Sequence, residues 1–147
     1  MIYPSGLTAS AGGGSTSSSP GSGDVQRLLD GFAGRMSGVT RAVIITLDGL
    51  QVAHAGSVGV DLADRLAACT AGLFSLAGQC GSMLGSGMIE HVTVRFGEGH
   101  LLCMGIGQSA GLMVAAAPDS DLQILTYAMR QLAAAATPLL TPSRRYG

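Results

Sequence analysis

The chain has 147 residues, 47% of them hydrophobic and only 12% charged, with a net charge of −1; this leaves room for one core, and far less charge than the roughly 25% of an average domain. That balance excludes the basic stripe a nucleic-acid binder uses on phosphates, and it leaves more apolar surface than the polar residues can cover, so burial against another subunit is expected. All eight basic residues are arginine, and without lysine there is no Walker A phosphate loop, Schiff base or pyridoxal chemistry.

The first residues carry neither a basic segment nor an apolar one, unlike a secretory signal, and a cytoplasmic location is expected. Residues 1–23 hold a Gly/Ser run with nothing to bury, which predicts a flexible tail. Asp24 can cap a first helix over 24–37, in which Val25, Leu28, Leu29, Phe32 and Met36 recur at helical spacing before Gly38. Val39 to Leu47 contains the unbroken apolar run Ala42-Val43-Ile44-Ile45, as in a strand covered on both faces. Asp48-Gly49 is a hairpin turn, and Leu50 to Ala55 alternates as an edge strand does.

Asp61 opens a second helix that ends near Leu84, where Gly85 and Gly87 stop it. Met88 to Phe96 is interrupted by Glu90, His91, Thr93 and Arg95, which predicts another edge strand. His100 to Ile106 and Gly111 to Ala117 are the central strands, joined through Gly107. Asp119 begins a last helix carrying Leu122, Leu125, Met129 and Leu132 on one stripe and ending before Pro138. The order is αββαβββα. Short turns make the five strands an antiparallel sheet, and the apolar central strands call for helices on both faces: an α+β fold built as a three-layer α/β/α sandwich.

The second helix is unusual, since no charged residue occurs from Leu66 to Ile89. Five glycines, Gln79 and several serines argue against a membrane span. At about 100° per residue, Leu62, Leu66, Cys69, Leu73, Leu76, Cys80 and Leu84 share a stripe, which is expected to be core. Ala67, Ala71, Phe74, Ser75, Gly78 and Ser82 then form an uncharged outer face, and these six are the predicted dimer or partner interface. Ala71→Glu is accordingly expected to disrupt a dimer.

No catalytic constellation emerges. Gly105-Ile106-Gly107-Gln108-Ser109-Ala110 has the letters of a dinucleotide loop, but a strand rather than a helix follows. His54, His91 and His100 have no spaced ligand partners. The three cysteines, Cys69, Cys80 and Cys103, lack metal-site spacing and are expected as reduced thiols; Cys69 and Cys80 lie roughly 16 Å apart along one helix and cannot pair with each other. Arg144-Arg145 is a solvated end. No enzyme activity, cofactor or metal is expected.

Asp48-Gly49-Leu50, the helical stretch Ala67-Ala68-Cys69-Thr70-Ala71-Gly72-Leu73-Phe74-Ser75-Leu76-Ala77 and the ending Leu139-Leu140-Thr141-Pro142 resemble the roadblock / dynein light chain family, especially its actinobacterial members. The resemblance spans residues 24–142, leaving a C-terminal tail of 143–147. It implies a sheet with the second helix on one face and the first and third on the other. It also implies a homodimer whose paired second helices form a platform for a Ras-like small GTPase, in some systems with a sensor kinase, and a stimulating, scaffolding or localising role. Arg65 is the arginine nearest that platform and reads as a surface charge. A small-molecule-sensing module with the same sandwich is the competing reading; it requires a cavity ringed by a few polar groups.

Overall fold

A computed structural model describes residues 20–140. The Gly/Ser run up to residue 19, the Thr141-Pro142 ending and the Arg144-Arg145 pair lie outside the described residues. The elements are α1 (Pro20–Arg35), β1 (Val39–Thr46), β2 (Gln51–Gly56), α2 (Val60–Leu84), β3 (His91–Phe96), β4 (Gly99–Ile106), β5 (Ala110–Ala116) and α3 (Leu122–Leu140).

The strands form one antiparallel sheet in the order β2-β1-β5-β4-β3. The apolar runs therefore occupy the middle and the alternating strands the edges, as their patterns require. In β1 the four successive residues Ala42, Val43, Ile44 and Ile45 are all buried, because side chains alternate between two covered faces.

The two faces are unequal. Under α1 and α3 lies a core of 19 buried residues, including Phe32, Ile44, Leu112 and Met129. Between α2 and the sheet the hydrophobic cluster has only six buried residues: Val43, Ile45, Ala63, Ala67, Cys103 and Met113. At about 25 cal/mol per Å2 of apolar surface removed from water, the α1/α3 face supplies most of the driving force, and α2 rests on the thinner layer.

Helix boundaries differ from expectation at three ends. α1 begins at Pro20, so Asp24 lies inside it, paired with Arg27 at 3.0 Å, and is not its cap. Asp119 is not the cap of α3 either. Ser120 N–H donates to the Ala117 carbonyl, closing a turn across Pro118 and Asp119, and Asp121 Oδ1 accepts from the backbone N–H groups of Gln123 and Ile124 at 3.1 and 3.2 Å. That is an N-cap two residues later. α3 also continues through Pro138; placed in the last turn, Pro138 removes only one of the final intrahelical bonds.

α2 ends as expected. Gly85 takes the left-handed conformation at φ 65, and the N–H groups of Gly85 and Ser86 return to the carbonyls of Ser82 and Gly81, satisfying the last turn without a side chain. The turn at Gly107 joins β4 to β5 with Ile106 opposite Ala110, so the glycine motif there is a hairpin.

Candidate interaction surface

How α2 sits on the sheet is decided by its small residues. Ala63, Ala67 and Thr70 are buried against the sheet, with Ala71 and Phe74 packed partly behind them. Small side chains allow the helix axis to approach closely. Phe74 lies over Gly111 of β5, where a Cβ would stand 2.7 Å from the ring, and the turn residue Gly49 would bring its Cβ within 3.8 Å of Ala71 Cβ.

This seating reverses the expected faces of the helix. Ala67, Ala71, Phe74 and Gly78, placed by sequence on the outer face, turn toward the sheet and are buried or half-buried. Ser75 and Ser82 are exposed on one flank. The stripe expected to be core lies on the other flank: Leu66 and Leu73 are half-buried, Leu62, Cys69 and Cys80 are exposed, and Leu76 and Leu84 are 64% and 76% exposed. The physical reason is volume. The six-residue core beneath α2 has room for alanines and one phenyl ring, not for a row of leucines.

The leucine flank faces the β3 side of the sheet. Leu62 and Leu66 overlook an open cleft of about 630 Å3, across which stand Phe96 of β3 and Leu101 of β4. Phe96 is 54% exposed. Among the described residues β3 pairs only with β4, which leaves its outer row of backbone groups available for pairing. The opposite edge strand, β2, is better covered: Gln26 Nε2 of α1 donates to the His54 carbonyl at 2.9 Å. Among the described residues no comparable bond reaches β3.

The titratable groups are dispersed. His54 Nδ1 lies 2.7 Å from Gln51 Oε1. His91 is exposed. His100 is buried, its Nε2–H donating to the Pro118 carbonyl at 3.2 Å while Nδ1 has no partner among the described residues; it ties β4 to the turn before α3. Arg65 is exposed on α2. Among the described residues no three metal-ligating side chains converge, and no helix is long and apolar enough to cross a membrane.

The cysteines separate into two kinds. Cys69 and Cys80 are exposed. Cys103 lies under α2, and burial pushes its thiol from 9.0 up to about 11, a hydrogen bond with Thr70 partly opposing the rise. Folding thus favours the neutral thiol, so this contribution to stability is complete below pH 9 and is lost as pH rises through 11. Wild type should lose more thermal stability between pH 9 and 11 than Cys103→Ala; equal slopes would show that the thiol is not held neutral. Iodoacetamide should modify Cys69 and Cys80 in the folded single subunit and reach Cys103 only on unfolding.

A profile of the Roadblock/LC7 domain matches residues 25–117. Among solved structures, the chain is similar to a Roadblock/LC7 domain from Streptomyces avermitilis, at 30% identity and a TM-score of 0.76, covering 80% of this chain and 98% of that one. It is also similar in fold to MglB of Myxococcus xanthus, at 15% identity and a TM-score of 0.74, covering 79% and 94%. The gliding protein MglB of Thermus thermophilus gives 15% identity and a TM-score of 0.74, covering 83% and 92%. Comparison with curated proteins gives no match.

Proposed function

Because the chain belongs to the Roadblock/LC7 domain family, we propose that it is a non-enzymatic regulatory or scaffold protein that homodimerises and binds a Ras-like small GTPase, modulating the GTPase's nucleotide cycle or its location in the cytoplasm. The observation that carries the self-association is the leucine flank of α2 beside the unpaired edge of β3.

A twofold axis at that edge lets two β3 strands pair antiparallel, satisfying both rows of backbone groups at once. The same operation brings the two α2 flanks and the two Phe96 side chains together, because α2 and the Phe96 cleft lie on one side of the sheet. Backbone pairing fixes the register and leucine burial supplies the hydrophobic contribution. Ala67, Ala71 and Phe74 then serve the interface from behind, by seating the helix.

The GTPase assignment rests on family membership, supported by an α2 whose outer surface is uncharged from Leu66 to Leu84. Paired α2 helices would offer a broad, weakly polar platform suited to a protein partner. The decisive experiment is affinity capture of a Ras-like GTPase from the same organism, loaded with GDP or with a non-hydrolysable GTP analogue, followed by hydrolysis rates with and without the protein. Nucleotide-sensitive binding is expected; no binding in either state would overturn the GTPase assignment while leaving the dimer to be judged by sedimentation.

A further inference from the structure

Where α2 leads into β3, the C-terminal end of α2, residues 87–89 and the β4–β5 turn border a second cavity, of about 620 Å3, as open to solvent as the Phe96 cleft. Its size falls within the roughly 300 to 1,000 Å3 of small-molecule pockets. Phe74, Ile89 and Met88 supply apolar walls, and among the described residues Ser82 and Gln108 are the only polar side chains in the lining. Among the described residues no ionisable side chain lines it.

The space exists because side chains are missing at two places where glycine has no local task. Gly78 lies within α2 and Gly105 within β4, and neither has a positive φ. A Cβ at Gly78 would come no closer than 3.8 Å to Ile89, and one at Gly105 no closer than 3.9 Å to the Gly107 carbonyl. Gly81 differs, since a Cβ there would meet the Gly87 carbonyl at 2.8 Å and close packing demands the glycine. Glycine weakens helix and strand interiors, so two unforced glycines that open on one apolar cavity exchange local stability for volume.

We infer that this cavity is a binding site for an uncharged, mainly apolar small molecule carrying a single hydroxyl or carbonyl group. Its skeleton lies against Phe74, Ile89 and Met88, and its polar end reaches Ser82 or Gln108. A charged head group gains nothing here, because no countercharge among the described residues lines the cavity, and its charge strengthens its hold on water against entry of the chain behind it. No side chain of the leucine flank lines it, and binding is read at the cavity's own amides, so failure here is distinguishable from failure of the dimer or of GTPase binding.

The test titrates the full chain with 1-octanol and, in parallel, with octanoate as its charged twin, followed by amide NMR. Octanol should saturate, shifting the amide signals of Gly78, Met88, Ile89 and Gly105, and octanoate should bind at least tenfold more weakly. Gly78→Leu and Gly105→Leu each fill the cavity; each should weaken octanol at least tenfold while leaving the melting temperature unchanged or higher. Several outcomes overturn the assignment: octanol that does not saturate, octanoate that binds equally, filled variants that still bind, or two filled variants that both unfold. Signals at those amides that follow protein concentration rather than octanol would assign the cavity to a second copy of the chain and overturn it too.

Discussion

Leu76→Glu is expected to raise the dissociation constant of the proposed dimer at least about a hundredfold, about 2.7 kcal/mol, without lowering the melting temperature of the monomer. In one subunit Leu76 is 64% exposed, so a glutamate there keeps its water and costs the fold little. At an isologous contact the same carboxylate would be desolvated, and the twofold axis would bring a second copy toward it. Sedimentation equilibrium measures the change, with Leu76→Ala as the smaller perturbation. A variant that dimerises as tightly as wild type would remove the leucine flank from the interface. A monomeric wild type at micromolar concentration would remove the dimer altogether.

Ala71→Glu separates the two readings of α2. On the sequence alone it strikes an outer, dimerising face. In the structure Ala71 is half-buried between the helix and the β1–β2 turn, so the glutamate must leave water within the subunit and lift α2 from the sheet. Its effect is expected as a lowered melting temperature that does not depend on protein concentration, the opposite signature from Leu76→Glu.

The reversal of α2 shows where sequence periodicity stops being informative. Spacing sorts residues into stripes but does not say which stripe faces inward when both are apolar. The leucine stripe is the larger, and transfer free energy alone would bury it. What decides is shape at positions distant in the chain: Gly111 admits the Phe74 ring, Gly49 lies against Ala68 and Ala71, and Val43 and Ile45 already fill the space beneath. None of these pairings has a local signature. By contrast, the sheet order was legible, because burial on both faces leaves unbroken apolar runs in β1 and β5, whereas β2 and β3 alternate. Capping fell between these cases. Asp119 and Asp121 are equally good caps by type, and the choice belongs to the turn in which Ser120 bonds back to Ala117. The cavity at Gly78 and Gly105 was hidden for a related reason: among 23 glycines, sequence does not separate those that permit a turn, those that permit close approach and those that leave space.

Gly56→Val tests the most demanding of these glycines and is expected to cost about 3 kcal/mol, the upper end of single-site backbone strain, or on the order of 10 °C in melting temperature. Gly56 closes β2 opposite Arg41 at φ 89, a conformation in which a β-branched residue is a rare outlier. The space is closed as well, since a Cβ would stand 2.4 Å from the Thr40 carbonyl oxygen. That oxygen cannot yield freely, because it accepts the Ser57 N–H at 2.9 Å, while Arg41 Nε donates to the Ser57 carbonyl at 2.8 Å. Relieving the clash therefore opens the end of the β1–β2 ladder. Gly49→Ala is the comparison: φ is again positive, at 96, but the nearest atom to a Cβ is 3.7 Å away. It should cost only the backbone strain, about 1 kcal/mol. Equal losses in the two variants, measured by thermal unfolding, would mean that conformation alone fixes glycine at position 56 and that the Thr40 carbonyl moves aside at little cost.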